Sequence, residues 1–495
     1  MERVNFMYKE QLLDYQSEKE YLLIRLLYLN DYKLSKKEIC DKLNISYPTL
    51  KKTVDRTNDY FQIYFSQTDI CLYTKTHEIE FSKIPELTID EITYFFLKTS
   101  GKYILLDLLY KHPSLSRANI ADQIHVSDTA LNLLIIQCNE LLNEFGLYIK
   151  KGNVEGPVSQ YFYFYFLFYW GTGNSPIYNL TYLKNDTINY FLEEKYGKKI
   201  GIIEQKKIAL WLVLLREKRR LLSIVNNSNL DKDELMYISS IKKTDLFGTL
   251  KQFFFNYWKE LSDYETEQAA YLTFLFFNSF EILDNEIVNF VSLHTNDQRH
   301  LIISKIMVLL ERDFQLNQKY HLTYNTLYFL LGKVIYFKGI IYSIDKITLD
   351  YYLNYYISDF EKSLVQRILY SDVLYINGYE LSTSLYLKFG LYSLVFNLRK
   401  YKRNNVKVAL LLNTSPILRN LFITKIEQLV HYNSAIQVVG YRIENEYDLI
   451  ITNLNNLEKI NAKHHYKITD LVNDEDFKNI LSVIEYIEIE KTIRA

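Results

Sequence analysis

Glycine and proline are scarce, 14 and 6 in 495 residues, which is too little punctuation for many short hairpins and favours long helices. Cysteine is scarcer still. Cys40, Cys71 and Cys138 form no CxxC pair and cannot all be joined in disulfides, so they read as small core residues in a reducing compartment. The stretch Met1 to Gln11 lacks a basic region followed by an apolar core, so no secretory signal is read. The most hydrophobic run, Tyr161 to Trp170, is far short of the roughly 20 residues of a membrane span, and the expectation is a cytoplasmic protein with no membrane partner. No Walker phosphate loop, HExxH or CxxC pair occurs, and Gly171-Thr172-Gly173 lacks the third glycine of a dinucleotide fingerprint. The chain reads as a non-enzyme without cofactor or metal. A net charge of −1 carries no global footprint of nucleic-acid binding, so charge has to be read locally.

What is present is ordinary globular composition, 48% hydrophobic and 24% charged, in a chain too long for one core, since cores stop growing near roughly 250–300 residues. Between Glu18 and Tyr60 apolar residues fall at helical spacing in three blocks, Tyr21 to Leu29, Lys36 to Leu43 and Pro48 to Tyr60. Ser35 with Glu38 forms a capping box, and Pro48 suits the first turn of the third block. The window Lys36 to Asp55 follows the helix-turn-helix pattern: Ile39, Leu43, Ile45 and Leu50 as core, Cys40 at the helix crossing, Asn44 at a left-handed turn. The window Arg117 to Ile136 repeats it, with Ile120, Ile124, Val126, Leu131 and Leu134 as core, Ala121 at the crossing, His125 in the turn, and Ser116 and Ser127 as caps. An amphipathic helix, Tyr103 to Tyr110, precedes this second window.

Ribbon candidates follow each unit, Phe61 to Phe81 and Leu147 to Val154, the second with a basic tip of Lys150 and Lys151 before a Gly152-Asn153 turn. They read as wings, which reach the phosphate backbone while the second helix of the unit enters the major groove. In the first unit Lys36, Lys37, Lys42, Lys51, Lys52 and Arg56 oppose Glu38, Asp41 and Asp55, and Lys51, Lys52 and Arg56 share the outward side of the recognition helix. In the second, Asp128 to Phe145 has no Lys or Arg and carries Glu140 and Glu144. Its base contacts fall to Thr129, Asn132 or Gln137, with Arg117, Lys150 and Lys151 on the backbone. The candidate DNA-binding set is thus Lys37, Thr49, Lys51, Lys52, Arg56, Arg117, Thr129, Asn132, Gln137, Lys150 and Lys151.

Long amphipathic stretches follow, among them Lys206 to Ile224, Glu265 to Leu283, Arg299 to Phe314 and Thr323 to Phe337, with a break expected near Asp284. The C-terminal tail alternates apolar strands, Val406 to Leu412, Ala435 to Tyr441 and Tyr447 to Thr452, with helical stretches Pro416 to Val430 and Asp474 to Glu488, as a small parallel α/β domain does. The expected architecture is mainly α and multidomain: two winged helix-turn-helix units (1–82 and 83–160), two helical bundle domains (161–284 and 285–400) and an α/β domain (401–495).

This order of parts, with the two windows and the run Gly146-Leu147-Tyr148-Ile149-Lys150-Lys151-Gly152, resembles the Mga-type virulence regulators of low-GC Gram-positive bacteria. The resemblance implies a transcription regulator bound to double-stranded DNA, a homodimer, and tuning by the phosphocarrier protein of the sugar phosphotransferase system acting on its regulation domains. No His lies between His125 and His294, so the first such domain cannot take phosphate on histidine; His294, His300 and His321 are the candidates in the second. The tail resembles enzyme IIB components, in which a Cys after the first strand carries phosphate, but here that turn reads Asn413-Thr414-Ser415-Pro416. The domain is therefore expected to be inert and to serve dimerisation or partner binding. The alternatives are a helical interaction scaffold and a phosphotransferase-system partner that does not bind DNA.

Overall fold

The computed structural model describes residues 7–66, 69–172, 186–197, 199–224, 238–282, 299–316, 319–342, 346–371, 374–376, 379–381, 384–399, 406–413, 436–442, 445–454, 462–468 and 474–494. The protein is mainly helical with a small parallel sheet near its C-terminus. It divides into two compact units, Met1–Asp297 with Phe329–Tyr355, and Gln298–Tyr328 with Tyr356–Ala495.

The first unit opens with strand β1 (Met7–Tyr8) and α1 (Tyr15–Leu29), which buries Tyr21, Leu23, Ile24, Leu26 and Leu27. After β2 (Lys33–Ser35) the chain turns into α2 (Lys36–Leu43). Ser35 Oγ accepts from Glu38 N at 3.2 Å, and the Glu38 carboxylate accepts from Ser35 Oγ at 2.6 Å and Ser35 N at 3.3 Å. These bonds to Ser35 hold the Glu38 carboxyl below the usual carboxylate range. Asn44, at φ 51°, stops α2, and Ser46 caps α3 (Tyr47–Tyr64) through Thr49 N. Leu50, Val54, Thr57 and Phe61 are buried along α3 at helical spacing, and this periodicity carries the helix to Tyr64, beyond Phe61 where the ribbon was expected to begin. The wing starts later, as β3 (Cys71–Thr74) and β4 (Glu78–Ser82), in an antiparallel sheet of order β2-β4-β3.

Two helices, α4 (Ile89–Thr99) and α5 (Gly101–Lys111), lead into a second copy of the same local build. Here α6 (Arg117–Ile124) is capped by Ser116 and stopped by His125 at φ 59°, and α7 (Asp128–Asn143) is capped by Ser127. The turns match bond for bond: Ile45 N donates to Cys40 O and Val126 N to Ala121 O, each at 3.0 Å. Of the expected cores, Ile39, Leu50, Ile120, Ile124 and Leu131 are buried, while Leu43, Ile45, Val126 and Leu134 are half-buried. The second wing pairs β5 (Tyr148–Lys150) with β6 (Asn153–Glu155). Its turn residues are Lys151 and Gly152, both at positive φ, as a two-residue turn matched to strand twist requires. Asn153 is thus in the strand opposite Lys150 rather than in the turn.

Next comes α8 (Val158–Thr172), apolar on every side and buried from Gln160 to Tyr169, as a helix without a polar face must be. One side meets the second helix-turn-helix. Tyr103 stacks on Phe168 at 4.8 Å, Tyr165 Oη donates to Leu106 O at 3.1 Å, and Tyr169 Oη donates to Asp107 Oδ1 at 2.9 Å. Burial pushes the Tyr165 and Tyr169 hydroxyls far up, so they stay protonated donors. The other side meets α10 (Ile202–Glu217, which follows α9, Asp186–Tyr196) through Trp211, the helix Asp263–Phe277 (which follows Asp245–Tyr257) through Phe276, and the later Phe337, whose ring stacks on Tyr163 at 4.3 Å. The expected helix Lys206 to Ile224 is α10 followed by a 3-10 segment, Arg219–Ile224. The expected break near Asp284 lies outside the described residues.

Lys333 reaches this core with Nζ 4.7 Å from the centre of the Phe280 ring. Burial, with Lys207 adding to it and Glu281 opposing, pushes its ammonium from the ordinary 10.5 down to about 7. Between those values the unfolded chain holds one proton more than the folded one, so this group makes stability rise with pH across that window. Lys333→Met is therefore expected to raise the melting temperature most near pH 6, the gain shrinking as the pH approaches 10; thermal melts across pH measure it, and a pH-independent gain would refute it.

In the other compact unit, helices Asp359–Leu369 and Leu385–Leu398 flank a short hairpin of β8 (Tyr375–Ile376) and β9 (Tyr379–Glu380). Glu361, 1% exposed, is neutralised by Arg399 and also accepts from Ser358 N, completing a capping box. The C-terminal sheet, β10 (Val406–Leu411), β11 (Ile436–Gly440), β12 (Tyr447–Thr452) and β13 (Ala462–Lys467), is parallel in the order β11-β10-β12-β13. The helix Asp474–Arg494 packs Phe477, Ile480, Ile484 and Ile487 against Val406, Val408, Leu449 and Ile451. Strand β13 was not read from the sequence: as an edge strand it mixes exposed Lys463, His465 and Lys467 with half-buried His464 and Tyr466. The helix expected at Pro416 to Val430 lies outside the described residues.

Candidate nucleic-acid interface

On the first helix-turn-helix, Lys37 lies exposed on α2, and Lys51 and Lys52 lie exposed near the start of α3. Among the described residues none of the three has an acidic side chain at ion-pair distance. Thr49 is half-buried, its hydroxyl 2.9 Å from Ser46 Oγ at the cap. Arg56, though more than half exposed, is committed inward: its Nε donates to Glu20 Oε1 at 2.9 Å, and that carboxylate on α1 is 5% exposed. Burial raises the Glu20 carboxyl's pKa and Arg56 opposes the rise. The basic triad expected on α3 thus splits, with two lysines facing outward and an arginine tying α3 to α1. Arg56→Ala leaves a buried carboxylate without its partner and is expected to destabilise the protein by about 1–3 kcal/mol. Lys51→Ala is expected to stay within about 0.5 kcal/mol. Denaturant melts of the two variants compare them directly.

On the second unit, Arg117 Nη2 donates to Asp128 Oδ1 at 3.1 Å and to Asn132 Oδ1 at 2.5 Å. This clasp joins α6 to the first turn of α7. Thr129 and Asn132 are exposed and Gln137 is half-buried. Beside them stand two residues that the sequence reading did not single out, Leu133 and Ile136, exposed by 57% and 55%. Their signal was present as spacing, because 129, 132, 133 and 136 fall on one helical stripe. The outward face of α7 is therefore hydroxyl, amide and methyl groups without a cation, suited to base edges and thymine methyls rather than to phosphate.

Besides Arg117, the cations expected on this unit lie on the wing. Lys150 lies 3.9 Å from Glu155, whereas Lys151 is exposed at the turn. Gly152 O accepts from Ser114 N at 3.0 Å, and a Cβ at position 152 would fall 2.2 Å from Leu115 O. The wing tip is thus seated on the residues that lead into α6, and only glycine fits there.

Of the candidate histidines, His294 lies outside the described residues. His300 is half-buried, with Nδ1 in contact with Tyr324 Oη, and His321 is exposed in the first turn of the helix Tyr320–Tyr336. Asn413, at the end of β10, exchanges bonds with Asn453 after β12, with Asn413 N donating to Asn453 Oδ1 at 2.8 Å and Asn453 Nδ2 to Asn413 O at 3.2 Å; residues 414–416 lie outside the described residues. Cys40, Cys71 and Cys138 are all free thiols. Among the described residues no helix is long and apolar enough to cross a membrane.

No curated protein matches the chain significantly. Residues 85–169 match the Mga helix-turn-helix domain family, a span that contains α4 to α7, the second wing and most of α8. The first unit precedes it. The chain thus carries an Mga helix-turn-helix domain, and this suggests a DNA-binding transcriptional regulator.

Proposed function

We propose that the chain controls promoters by gripping duplex DNA with both helix-turn-helix units, the first supplying most of the phosphate attraction and the second most of the base reading. The observation that carries this is the division of labour between α3, with Lys51 and Lys52 facing outward, and α7, whose outward stripe of Thr129, Asn132, Leu133 and Ile136 has no cation. On binding, Arg117 would leave Asp128 and Asn132 for a phosphate, freeing the Asn132 amide for a base edge. Mobility shifts of the full chain with promoter fragments at rising salt test the reading: steeply salt-dependent binding supports it, and no binding at low salt would sink it. A homodimer, as a palindromic site demands, belongs to the same reading and is checked by mass in solution.

Tuning by the sugar phosphotransferase system belongs here too. Of the two described candidates, His321 has the accessible imidazole and His300 is engaged by Tyr324. Incubation with the phosphorylated carrier protein is expected to label the wild type and leave His321→Ala unlabelled, with His300→Ala labelled as the wild type is. Equal labelling of all three would remove His321 as the acceptor.

A further inference from the structure

We propose that the two helix-turn-helix units are locked into one two-headed reader, so that a duplex must offer its two sub-sites at a single spacing. This rests on the reading that both units grip DNA. A flexible linker between two binding modules tolerates many spacings, whereas a rigid joint rewards only the one that fits. Three separate fastenings make the joint rigid here.

The first is aromatic. The recognition helix α3 ends against α4, with Tyr60 stacked on Phe96 at 4.2 Å and Phe65 edge-on to Phe95 at 4.9 Å. The second lies at the junction of α4 and α5. Asp14, just before α1, accepts from Gly101 N at 3.1 Å, and Ser100 Oγ donates to Leu12 O at 2.6 Å. A Cβ at position 101 would already press on Leu134 of α7 at 3.2 Å, so the segment leading into α1 is fastened where the second unit's own helices meet.

The third is a strap from later in the chain, residues 337–342 and 346–348, which bonds to both units. Gly339, at φ 74°, lets the strap pass over Phe145, where a Cβ would fall 2.9 Å from the ring. Its carbonyl accepts from Tyr163 Oη at 2.9 Å, and Ile340 N donates to Glu144 Oε1 at 3.1 Å, just past the end of α7. The next two residues form β7 (Ile341–Tyr342), paired in parallel with β1 of the first unit. Lys346 N then donates to Glu10 Oε1 and Arg25 Nη2 to Thr348 Oγ1, each at 3.0 Å. One short stretch thus holds the C-terminal end of one recognition helix and the base of the other unit.

The test uses the full chain and duplexes that it selects from a random-sequence pool, with the protected sub-sites mapped by hydroxyl-radical footprinting. Inserting about five base pairs between the sub-sites turns one of them to the opposite side of the helix. The insertion is expected to weaken binding by about 100-fold or more, the advantage of simultaneous engagement. Gly339→Val, which forces the strap off Phe145 and leaves the other two fastenings in place, is expected to lower that penalty by about threefold to tenfold while each sub-site alone is bound as before, and an unchanged penalty would remove the strap from the joint. Equal affinity of the wild type for original and lengthened duplexes, or a single protected sub-site, would overturn the two-headed reader while leaving DNA binding intact; failure to protect any duplex at low salt would overturn the DNA-binding reading itself. Should Gly339→Val not fold, the spacing series on the wild type decides alone.

Discussion

Lys51→Ala with Lys52→Ala is expected to lower affinity for duplex DNA by roughly 10- to 100-fold near physiological salt and to flatten the salt dependence by about two units of slope. The size of the effect follows from which cations are uncommitted. The chain as a whole is at −1, α7 has no Lys or Arg, Arg117 is held by Asp128 and Asn132, and Arg56 serves Glu20. Each of those arginines must give up a partner before it can meet a phosphate, and the gain is reduced by that exchange. Lys51 and Lys52 give up only water. Both side chains are exposed, so their removal leaves the fold within about 0.5 kcal/mol, and a lost shift reports lost contact rather than unfolding. Thr129→Ala and Asn132→Ala should behave oppositely, changing which sequences are preferred while leaving the slope alone. An unchanged salt slope in the double lysine variant would place the phosphate contacts elsewhere.

The helix-turn-helix units were legible in the sequence because what defines them is local. A capping box needs Ser35 and Glu38 three residues apart, and the turns need a residue tolerant of positive φ, which Asn44 and His125 supply. The parallel tail was legible for a related reason, since strands buried on both faces have to be mostly apolar, as β10 and β12 are apart from Lys407 near the start of one and Asp448 and Thr452 in the other. Commitments made over long separations were not legible. The partner of Arg56 lies 36 residues away on another helix, and the strap bonds to Glu10 across 336 residues. A charge on an outward stripe looks the same in sequence whether it awaits phosphate or is already spent on a buried carboxylate. Nor does an apolar run say from how many sides it will be covered. Tyr161 to Trp170 could be placed only as too short for a membrane, whereas the fold surrounds most of that run with aromatic neighbours.

The same enclosure fixes where the fold is most easily broken. Trp211→Ala is expected to cost about 3–5 kcal/mol, the range for removing a large aromatic from a core, and to lower the melting temperature by on the order of 10 °C. Trp211 is fully buried on α10 and lies flat on Phe276 at 4.3 Å with an interplanar angle of 7°. It also meets Phe162 and Phe166 of α8 at 6.1 and 6.2 Å. Its Nε1 donates to Thr273 Oγ1 at 3.2 Å, so truncation strands a buried hydroxyl as well as opening a void. Trp211→Phe separates the two contributions, because it keeps most of the stacking and loses the donor; its cost should be nearer 1 kcal/mol. Since α8 carries Phe162 and Phe166 towards Trp211 while Phe168 packs on Tyr103 of α5, loosening Trp211 frees a helix on which the second helix-turn-helix unit is seated. Hydrogen exchange in the alanine variant should therefore rise in α8 and α5 together, ahead of α1 and α3, and a rise confined to α10 would refute that coupling.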